Sequence, residues 1–144
     1  MTTETIAIAS DHAAFDLKAQ LKDELTALGY TPLDLGAHTR DSVDYPDMAN
    51  ALAEAIKSGK AKRGLLMCGS GVGVSIAANR HPGVRAALCH DVTTARLSRQ
   101  HNNANVLVMG ARLIGPDLAK ECLKTFLSTD FEGGRHERRV TKLG

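Results

Sequence analysis

Short apolar runs alternate with longer segments in which apolar residues recur every three or four positions. The short runs are β-prone and predict strands over residues 5–9, 31–35, 64–67, 84–88 and 105–109. The longer segments predict about five helices. Strands that alternate with helices in this way are typical of βαβ units, and they predict a three-layer α/β/α sandwich with a parallel sheet.

The predicted helices are recognised from their apolar stripes and from the residues at their ends. Gly29 stops the first helix, Pro46 opens the second, and residues 58–59 end it. Further helices are expected near residues 91–99 and directly after the glycine-rich residues 69–73. The stripes are formed by Leu17, Leu21, Leu25 and Leu28, by Met48, Leu52, Ala55 and Ile56, and by Leu118, Cys122 and Phe126.

Two strands carry information about their place in the sheet. Residues 64–67 are apolar without interruption, which indicates a strand buried on both faces, as in parallel sheets. Pro32 removes a hydrogen-bond donor and predicts that the second strand lies at a sheet edge. A chain of 144 residues has the size of one domain, so we expect residues 1–144 to form a single domain.

Composition and charge exclude several classes of protein. The formal net charge of +2 is too balanced for a dedicated nucleic-acid binder. The apolar runs are too short to span a membrane, and residues 1–5 lack the basic and apolar regions of a signal peptide. Cys68, Cys89 and Cys122 are far apart without a CxxC pair, which argues against disulfides or a zinc knuckle and favours a reducing cytoplasm.

Polar residues collect at the predicted strand ends, and ligands bind at the carboxyl ends of strands in sheets of this kind. Residues 10–12, 68–73, 89–91 and 110–112 each follow a strand. Residues 99–103 end the helix after the fourth strand. We expect all these segments to gather at one edge of the sheet.

The glycine-rich turn, Gly-Ser-Gly-Val-Gly at residues 69–73, is the most informative segment. Its backbone N–H groups precede a helix and can cradle an anion. Val74 and Ile76 stand where a dinucleotide motif needs its third glycine, and no Walker lysine is present. Val74 also stands where a cysteine-phosphatase loop needs arginine. The turn therefore suits a small oxyanion or hydroxylated ligand.

Cys68 directly precedes this turn, and two interpretations are open. It is either a small apolar residue that closes a strand, or a reactive thiolate favoured by nearby N–H dipoles and a helix N-terminus. Its position favours the second. Cys89, at a strand end, and Cys122, on an apolar helical stripe, are interpreted as core residues.

The other candidate residues also have structural alternatives. Asp11 can cap a helix, and His101 can stabilise a helix C-terminus. Arg135 and Arg139 share a helical face after a glycine break and can bind a phosphate, although a charged tail is usually only solvated. No histidine spacing indicates a metal site, including that of His38, His81, His90 and His136.

With these segments in hand, the chain resembles the ribose-5-phosphate isomerase B / galactose-6-phosphate isomerase family of sugar-phosphate isomerases. The similarity runs nearly end to end, and the order and spacing of its short motifs make it specific. The motifs are Ser10-Asp11-His12, Asp44-Tyr45-Pro46, Cys68-Gly69-Ser70-Gly71-Val72-Gly73, Ile76-Ala77-Ala78-Asn79, Ser98-Arg99-Gln100-His101-Asn102, Asn105-Val106-Leu107 and Glu132-Gly133-Gly134-Arg135-His136.

The resemblance implies a Rossmann-like five-stranded parallel sheet, with a homodimer or a dimer of dimers whose active sites lie at the subunit interface. It implies a small sugar phosphate as substrate, with neither nucleic acid nor membrane as partner. The expected reaction is the interconversion of ribose 5-phosphate and ribulose 5-phosphate through a cis-enediolate, which needs no metal or redox cofactor. The chain continues only five residues beyond Arg139, short for this family, so we expect a shortened last helix.

The resemblance also implies a role for each matching residue. Cys68 is the catalytic base, because relatives without this cysteine use a glutamate where Val74 stands here. His101 opens the sugar ring, with Asp11 beside it, and Ser70 replaces a threonine without loss of the hydroxyl. The residues that hold substrate oxygens are Gly69, Ser70, Gly71, Val72, Gly73 and Asn102, and the phosphate-binding residues are His12, Arg112, Arg135 and Arg139.

Two alternatives to this function stay open. A six-carbon sugar phosphate, such as allose 6-phosphate or galactose 6-phosphate, is the alternative substrate within the same family. A non-catalytic sensor of nucleotides or sugar phosphates is the alternative outside it, since fold alone does not fix function. A sensor needs phosphate ligands but no proton shuttle, so Cys68 and His101 together favour an enzyme.

Overall fold

The computed structural model describes residues 3–144 and confirms the predicted five-stranded parallel sheet. The strands lie in the order β2-β1-β3-β5-β4, and each neighbouring pair is parallel. β2 is an edge strand, as Pro32 predicts. The strands are β1 (Thr5–Ser10), β2 (Thr31–Asp34), β3 (Arg63–Cys68), β4 (Ala86–Leu88) and β5 (Val106–Gly110).

Six α-helices and one 3-10 turn connect and follow the strands, one more helix than the apolar pattern predicts. The additional helix is the basic segment at the end of the chain. The 3-10 turn is His12–Ala14, and the helices are α1 (Phe15–Ala27), α2 (Tyr45–Lys57), α3 (Val72–Ala78), α4 (Val92–Asn102), α5 (Pro116–Ser128) and α6 (Arg135–Leu143). None of these described helices combines the length and the apolar character needed to cross a bilayer. Met1 and Thr2, within the segment where no signal peptide is expected, lie outside the described residues.

The sheet is covered on both faces, which makes three layers. On one face, Leu65 of β3 lies in an apolar cluster with Leu21 of α1 and Phe126 of α5. On the other face, Leu66 lies in a second cluster with Leu52 of α2. These five side chains are fully buried, and each such burial stabilises the fold by about 1.5–3 kcal/mol. The two clusters therefore fix the sheet between α1, α4 and α5 on one side and α2 and α3 on the other.

A buried ion pair fastens the loop between β2 and α2 to α1. Lys18 is 3% exposed, and its Nζ donates to Asp34 Oδ1 at 2.7 Å and to the Ala37 carbonyl at 2.6 Å. Lys22 donates to the other oxygen of Asp34 at 3.0 Å. Burial alone would raise the pKa of Asp34, but hydrogen bonds from Lys18, the Gly36 N–H and Lys22 lower it to about 2.

Asp34→Asn should reveal this ion pair as an acid-dependent contribution to stability. The folded-state pKa lies below the ordinary value of 3.8, so the contribution is complete above about pH 4. It is lost as the pH falls from about 4 to 2, because the carboxylate then takes up a proton. Urea unfolding of both proteins should show the wild type more stable at pH 6 and the difference shrinking below pH 4. A difference that does not change with pH would contradict this assignment.

Candidate active site

An open cleft of about 530 Å³ lies at the carboxyl ends of β1, β3 and β5. Each of these strands contributes residues to the cleft from the segment that follows it. The predicted site residues in its lining are Asp11, Cys68, Gly69, Ser70, Val72, Gly73 and Arg112. Tyr45, Ile76 and Leu113 complete the lining. The carboxyl ends of the strands thus bring together segments that are about a hundred residues apart in the chain.

Cys68 is the last residue of β3 and lies at the floor of the cleft. It is 5% exposed, and its side chain belongs to the apolar cluster that includes Val74 of α3. Its Sγ accepts a hydrogen bond from the Gly71 N–H at 3.2 Å. Gly71 has φ +80°, so a residue with a side chain would be strained there. The sulfur therefore faces both the cleft and a donor that can stabilise negative charge on it.

The glycine-rich turn is less open to a ligand than the sequence predicts. The Gly71 N–H donates to Cys68, and the Val72 N–H donates to Ser70 Oγ at 3.2 Å. Two of the N–H groups expected to bind an anion are thus used within the turn. Ser70 itself is exposed, so its hydroxyl is available in the cleft.

Arg112 supplies the positive charge of the cleft. Its backbone N–H donates to the Gly69 carbonyl at 2.9 Å, and a Cβ on Gly69 would lie 3.1 Å from Arg112 Nη1. The guanidinium therefore lies against the turn at a place that only glycine leaves free. Arg112 is exposed and forms no salt bridge with any residue that the structure describes. It can therefore bind an anion in the cleft.

Asp11 and His12 are placed by the 3-10 turn that follows β1. Asp11 is buried, and its Oδ1 accepts from the Ala13 N–H at 3.0 Å, so the capping interpretation is confirmed. Asp11 also lines the cleft, so it can cap the 3-10 turn and belong to the site at the same time. His12 Nδ1 accepts from the Val43 N–H at 3.2 Å. With Nδ1 occupied as an acceptor, the neutral ring carries its proton on Nε2, which is then a hydrogen-bond donor.

Residues 99–103 do not gather at this edge of the sheet, and that prediction is wrong. In a βαβ unit the helix runs back against the strand direction, so α4 ends near the beginning of β5. The Arg99 guanidinium accordingly donates to the carbonyl of Ala104, two residues before β5 begins. β5 has five residues, which separates its two ends by about 16 Å.

Four predicted site residues therefore lie away from the cleft of their own chain. His101 and Asn102 end α4, and Arg135 and Arg139 lie on α6, which packs against α4. None of the four lines the cleft around Cys68.

His101 belongs to a small cluster with two residues near the start of α6. Its ring is stacked on the ring of His136, with centroids 4.4 Å apart and an angle of 16° between the planes. Glu132 Oε1 lies 3.5 Å from His136 Nε2 and 3.9 Å from His101 Nε2. Arg135 and Arg139 precede and follow His136 on the same helix.

Comparison with known proteins identifies the family. The family model described as Ribose/Galactose Isomerase matches residues 6–143. The chain belongs to the ribose/galactose isomerase family. It is therefore a sugar-phosphate isomerase, as the motifs predict.

Relatives across this isomerase family are similar over nearly the whole chain. Ribose-5-phosphate isomerase B of Escherichia coli is 43% identical, covering 96% of this chain and 93% of its own. D-erythrulose-4-phosphate isomerase of Pectobacterium atrosepticum is 48% identical, with 97% and 93% covered. The crystal structure of a ribose 5-phosphate isomerase from Thermotoga maritima has a TM-score of 0.96 at 54% identity, with 99% and 98% covered.

Two features of this isomerase site are not predicted from the sequence. Tyr45 lines the cleft, where its ring fills the space that a Cβ on Gly73 would need. Glu132 and His136 contact His101. Both features lie in motifs that carry the family resemblance, but nothing in the local sequence indicated their contacts.

The cluster of His101, Glu132 and His136 is the one place in residues 3–144 where three potential metal ligands lie within 4.8 Å of one another. Because the two rings are stacked, their nitrogen lone pairs lie in nearly parallel planes and do not converge on one point. Arg135 and Arg139 add positive charge beside them. The donor set therefore fits a metal ion poorly in this isomerase.

Proposed function

We propose that this family member interconverts ribose 5-phosphate and ribulose 5-phosphate through a cis-enediolate. The observation that carries the proposal is the position of Cys68, at the floor of a cleft that also holds Asp11, Ser70 and Arg112. Aldose–ketose exchange requires one base near two adjacent carbons, donors for an oxyanion and a cation for the phosphate. The cleft offers a candidate for each of these.

The proposed reaction moves one proton between neighbouring carbons. The Cys68 thiolate removes the proton from C2 of the open-chain aldose, and the electron pair of that bond forms the enediolate. The hydroxyl proton moves from O2 to O1 of the enediolate, and the thiol then returns a proton to C1, which gives the ketose. Ser70 and the glycine-rich turn hold the developing oxyanion, a kind of contact that contributes about 2.7–4 kcal/mol per donor in other enzymes. No electron leaves the sugar, so the step requires no cofactor.

The remaining residues in the proposal bind and open the sugar. His101 moves the proton that opens the furanose ring, with Asp11 beside it, and Asn102 holds a substrate oxygen. His12, Arg112, Arg135 and Arg139 bind the phosphate, which orients the reacting carbons.

We propose that two copies of the chain form each active site. None of the residues His101, Asn102, Arg135 and Arg139 lines the Cys68 cleft of its own chain. Arg135 and Arg139 are exposed and form no salt bridge within residues 3–144. A homodimer, alone or within a dimer of dimers, would bring these side chains of one protomer to the cleft of its partner.

Complementation between inactive variants should test the shared site. Cys68→Ser and His101→Asn, co-expressed with different affinity tags and purified as the heterodimer, should recover about half of the wild-type turnover, since one of two sites is intact. The matched control pairs the wild-type chain with the double variant, which leaves one defect in each shared site and should be inactive. If each chain contains its own complete site, the heterodimer of the two single variants should be inactive, and the control should keep about half of the wild-type turnover.

Proton NMR in deuterated water tests the reaction itself. With ribose 5-phosphate, the proposal expects exchange at C2 and formation of ribulose 5-phosphate. A protein that only senses the sugar phosphate would bind it without any exchange, and this result would reject the proposal.

The preferred sugar is tested by turnover on matched substrates. We expect ribose 5-phosphate to exceed allose 6-phosphate and galactose 6-phosphate, because this chain carries every residue of the predicted site. D-erythrulose 4-phosphate belongs in the same assay, because a relative 48% identical is named for that four-carbon substrate. Faster turnover of a six-carbon or four-carbon substrate would be compatible with the proposed proton transfer, but it would contradict ribose 5-phosphate as the preferred substrate.

We also propose that residues 1–144 act as a single isomerase domain in the cytoplasm. All three cysteines are free and buried, and a reducing compartment maintains thiols in this state.

A further inference from the structure

The ring of His101 rests on a second histidine that the proposed reaction does not use. His101 lies in the last turn of α4 with a side chain 40% exposed, whereas the side chain of His136 on α6 is 8% exposed. The two rings are stacked at 4.4 Å. The buried ring of His136 therefore packs against one face of the exposed His101 ring.

The turn before α6 brings one carboxylate to this pair. The Glu132 N–H donates to the Gln100 carbonyl at 3.1 Å, which ties the turn to the end of α4. Residues 133–134 are glycines with positive φ, and they reverse the chain so that the next turn carries His136. Glu132 Oε1 consequently faces the Nε2 atoms of both His136 and His101, at 3.5 and 3.9 Å.

The surroundings of His136 favour its neutral form, because they lower its pKa. The largest cause is burial, and a proton on His101 and the charges of Arg135 and Arg139 act in the same direction, against the opposing effect of Glu132. Its Nε2 is buried and has no hydrogen-bond partner in residues 3–144. The contact of His136 with His101 is therefore the stacking of the two rings and not a hydrogen bond from this nitrogen.

We propose that His136 and Glu132 are positioning residues for His101. His136 fixes the plane of the His101 ring, and Glu132 stabilises the single positive charge that arises when His101 holds a proton. This inference rests on the proposed role of His101 in ring opening. In that step a proton moves from the anomeric hydroxyl to the ring oxygen while the bond between C1 and the ring oxygen breaks.

Ring opening can be separated from proton transfer between carbons by the choice of substrate. Ribose 5-phosphate is mostly a closed furanose, whereas ribulose 5-phosphate has its C5 oxygen esterified and stays open. His136→Ala should lower kcat for ribose 5-phosphate by about 10²-fold, the effect of a small misplacement of a reacting group, with KM nearly unchanged. The rate of deuterium exchange at C1 of ribulose 5-phosphate should stay at the wild-type value.

His136→Phe is the conservative variant, because it retains a stacked ring without its nitrogens. It should restore most of the kcat lost in His136→Ala, while Glu132→Gln should slow the ribose reaction and leave C1 exchange unchanged. His38→Ala, at an exposed histidine in the loop before α2, is the matched control and should change neither rate.

Three results would overturn the positioning role. They are an equal loss of both rates in His136→Ala, no rescue by His136→Phe, and no loss of kcat in His136→Ala. Thermal unfolding of each variant identifies a loss that comes from the fold, and His136→Phe still decides the question if His136→Ala does not fold. Absence of C1 exchange in the wild-type protein is a separate result, which rejects the proposed function and this role with it.

Discussion

Cys68→Ser should lower kcat for the isomerisation by about 10³-fold, within the range that one positioned acid–base group supplies. The serine hydroxyl fits the same space at the end of β3 but does not ionise at neutral pH. Binding of the sugar phosphate should survive, since the proposed phosphate contacts come from Arg112 and other residues. Steady-state kinetics together with calorimetric titration of the inactive variant measures both effects. Turnover at the wild-type level would reject Cys68 as the base.

The other two cysteines provide matched controls for this result. Burial raises the pKa of Cys89 and of Cys122 to about 11, and both side chains are fully inaccessible. Cys122→Ala should therefore retain kcat. Iodoacetamide at neutral pH should modify Cys68 alone. A saturating concentration of sugar phosphate should slow this modification of Cys68. Peptide mass spectrometry identifies the modified residue, and modification of Cys89 or Cys122 at a similar rate would contradict the structure.

Gly110→Ala should destabilise the fold by about 3 kcal/mol, at the upper end of what overpacking costs. Gly110 ends β5 opposite Cys68, and a Cβ there would overlap the backbone carbon and oxygen of Ser70. Backbone atoms cannot move aside as a flexible side chain can. The glycine-rich turn must shift instead, so activity should fall even in molecules that remain folded.

Gly115→Ala is the matched control for this prediction. Gly115 has φ −80°, and a Cβ there would meet no atom within 4 Å. We expect its unfolding free energy to stay within about 1 kcal/mol of the wild type, because the change affects only a helix cap. Urea unfolding of the two variants measures the difference. Equal stability of the two would show that the Ser70 backbone accommodates a methyl group without cost.

The parallel sheet follows from local sequence features. Strands buried on both faces, such as β3, are apolar without interruption, and Pro32 is tolerated only where a strand has a free edge. Leu21, Leu52 and Phe126 each belong to a stripe of apolar residues at helical spacing on their own helix, because one face of each helix must be buried. These patterns involve residues close together in the chain, so a single sequence reveals them. The bounds of the strands are predicted less well, since β4 is two residues shorter than predicted.

Half of the candidate site follows from the same features. Asp11, Cys68 and Arg112 are far apart in the chain, but each comes directly after a strand of one parallel sheet. The carboxyl ends of such strands meet at one edge, so their proximity is a consequence of topology. The glycine-rich turn was predicted in the same way. The hydrogen bonds that occupy two of its N–H groups were not predicted, because they depend on the exact backbone angles at Gly71.

The layers of the fold, the sheet edge where the cleft lies and the cysteine at its floor are all predictable from the amino-acid sequence, because periodicity and strand direction are properties of neighbouring residues. The stacking of the His101 ring on His136 and its position beside Glu132 could be seen only in the folded chain. Those positions depend on how α6 packs against α4, through contacts between residues more than thirty positions apart. No local pattern encodes the geometry of such contacts, since many side chains can fill the same buried position.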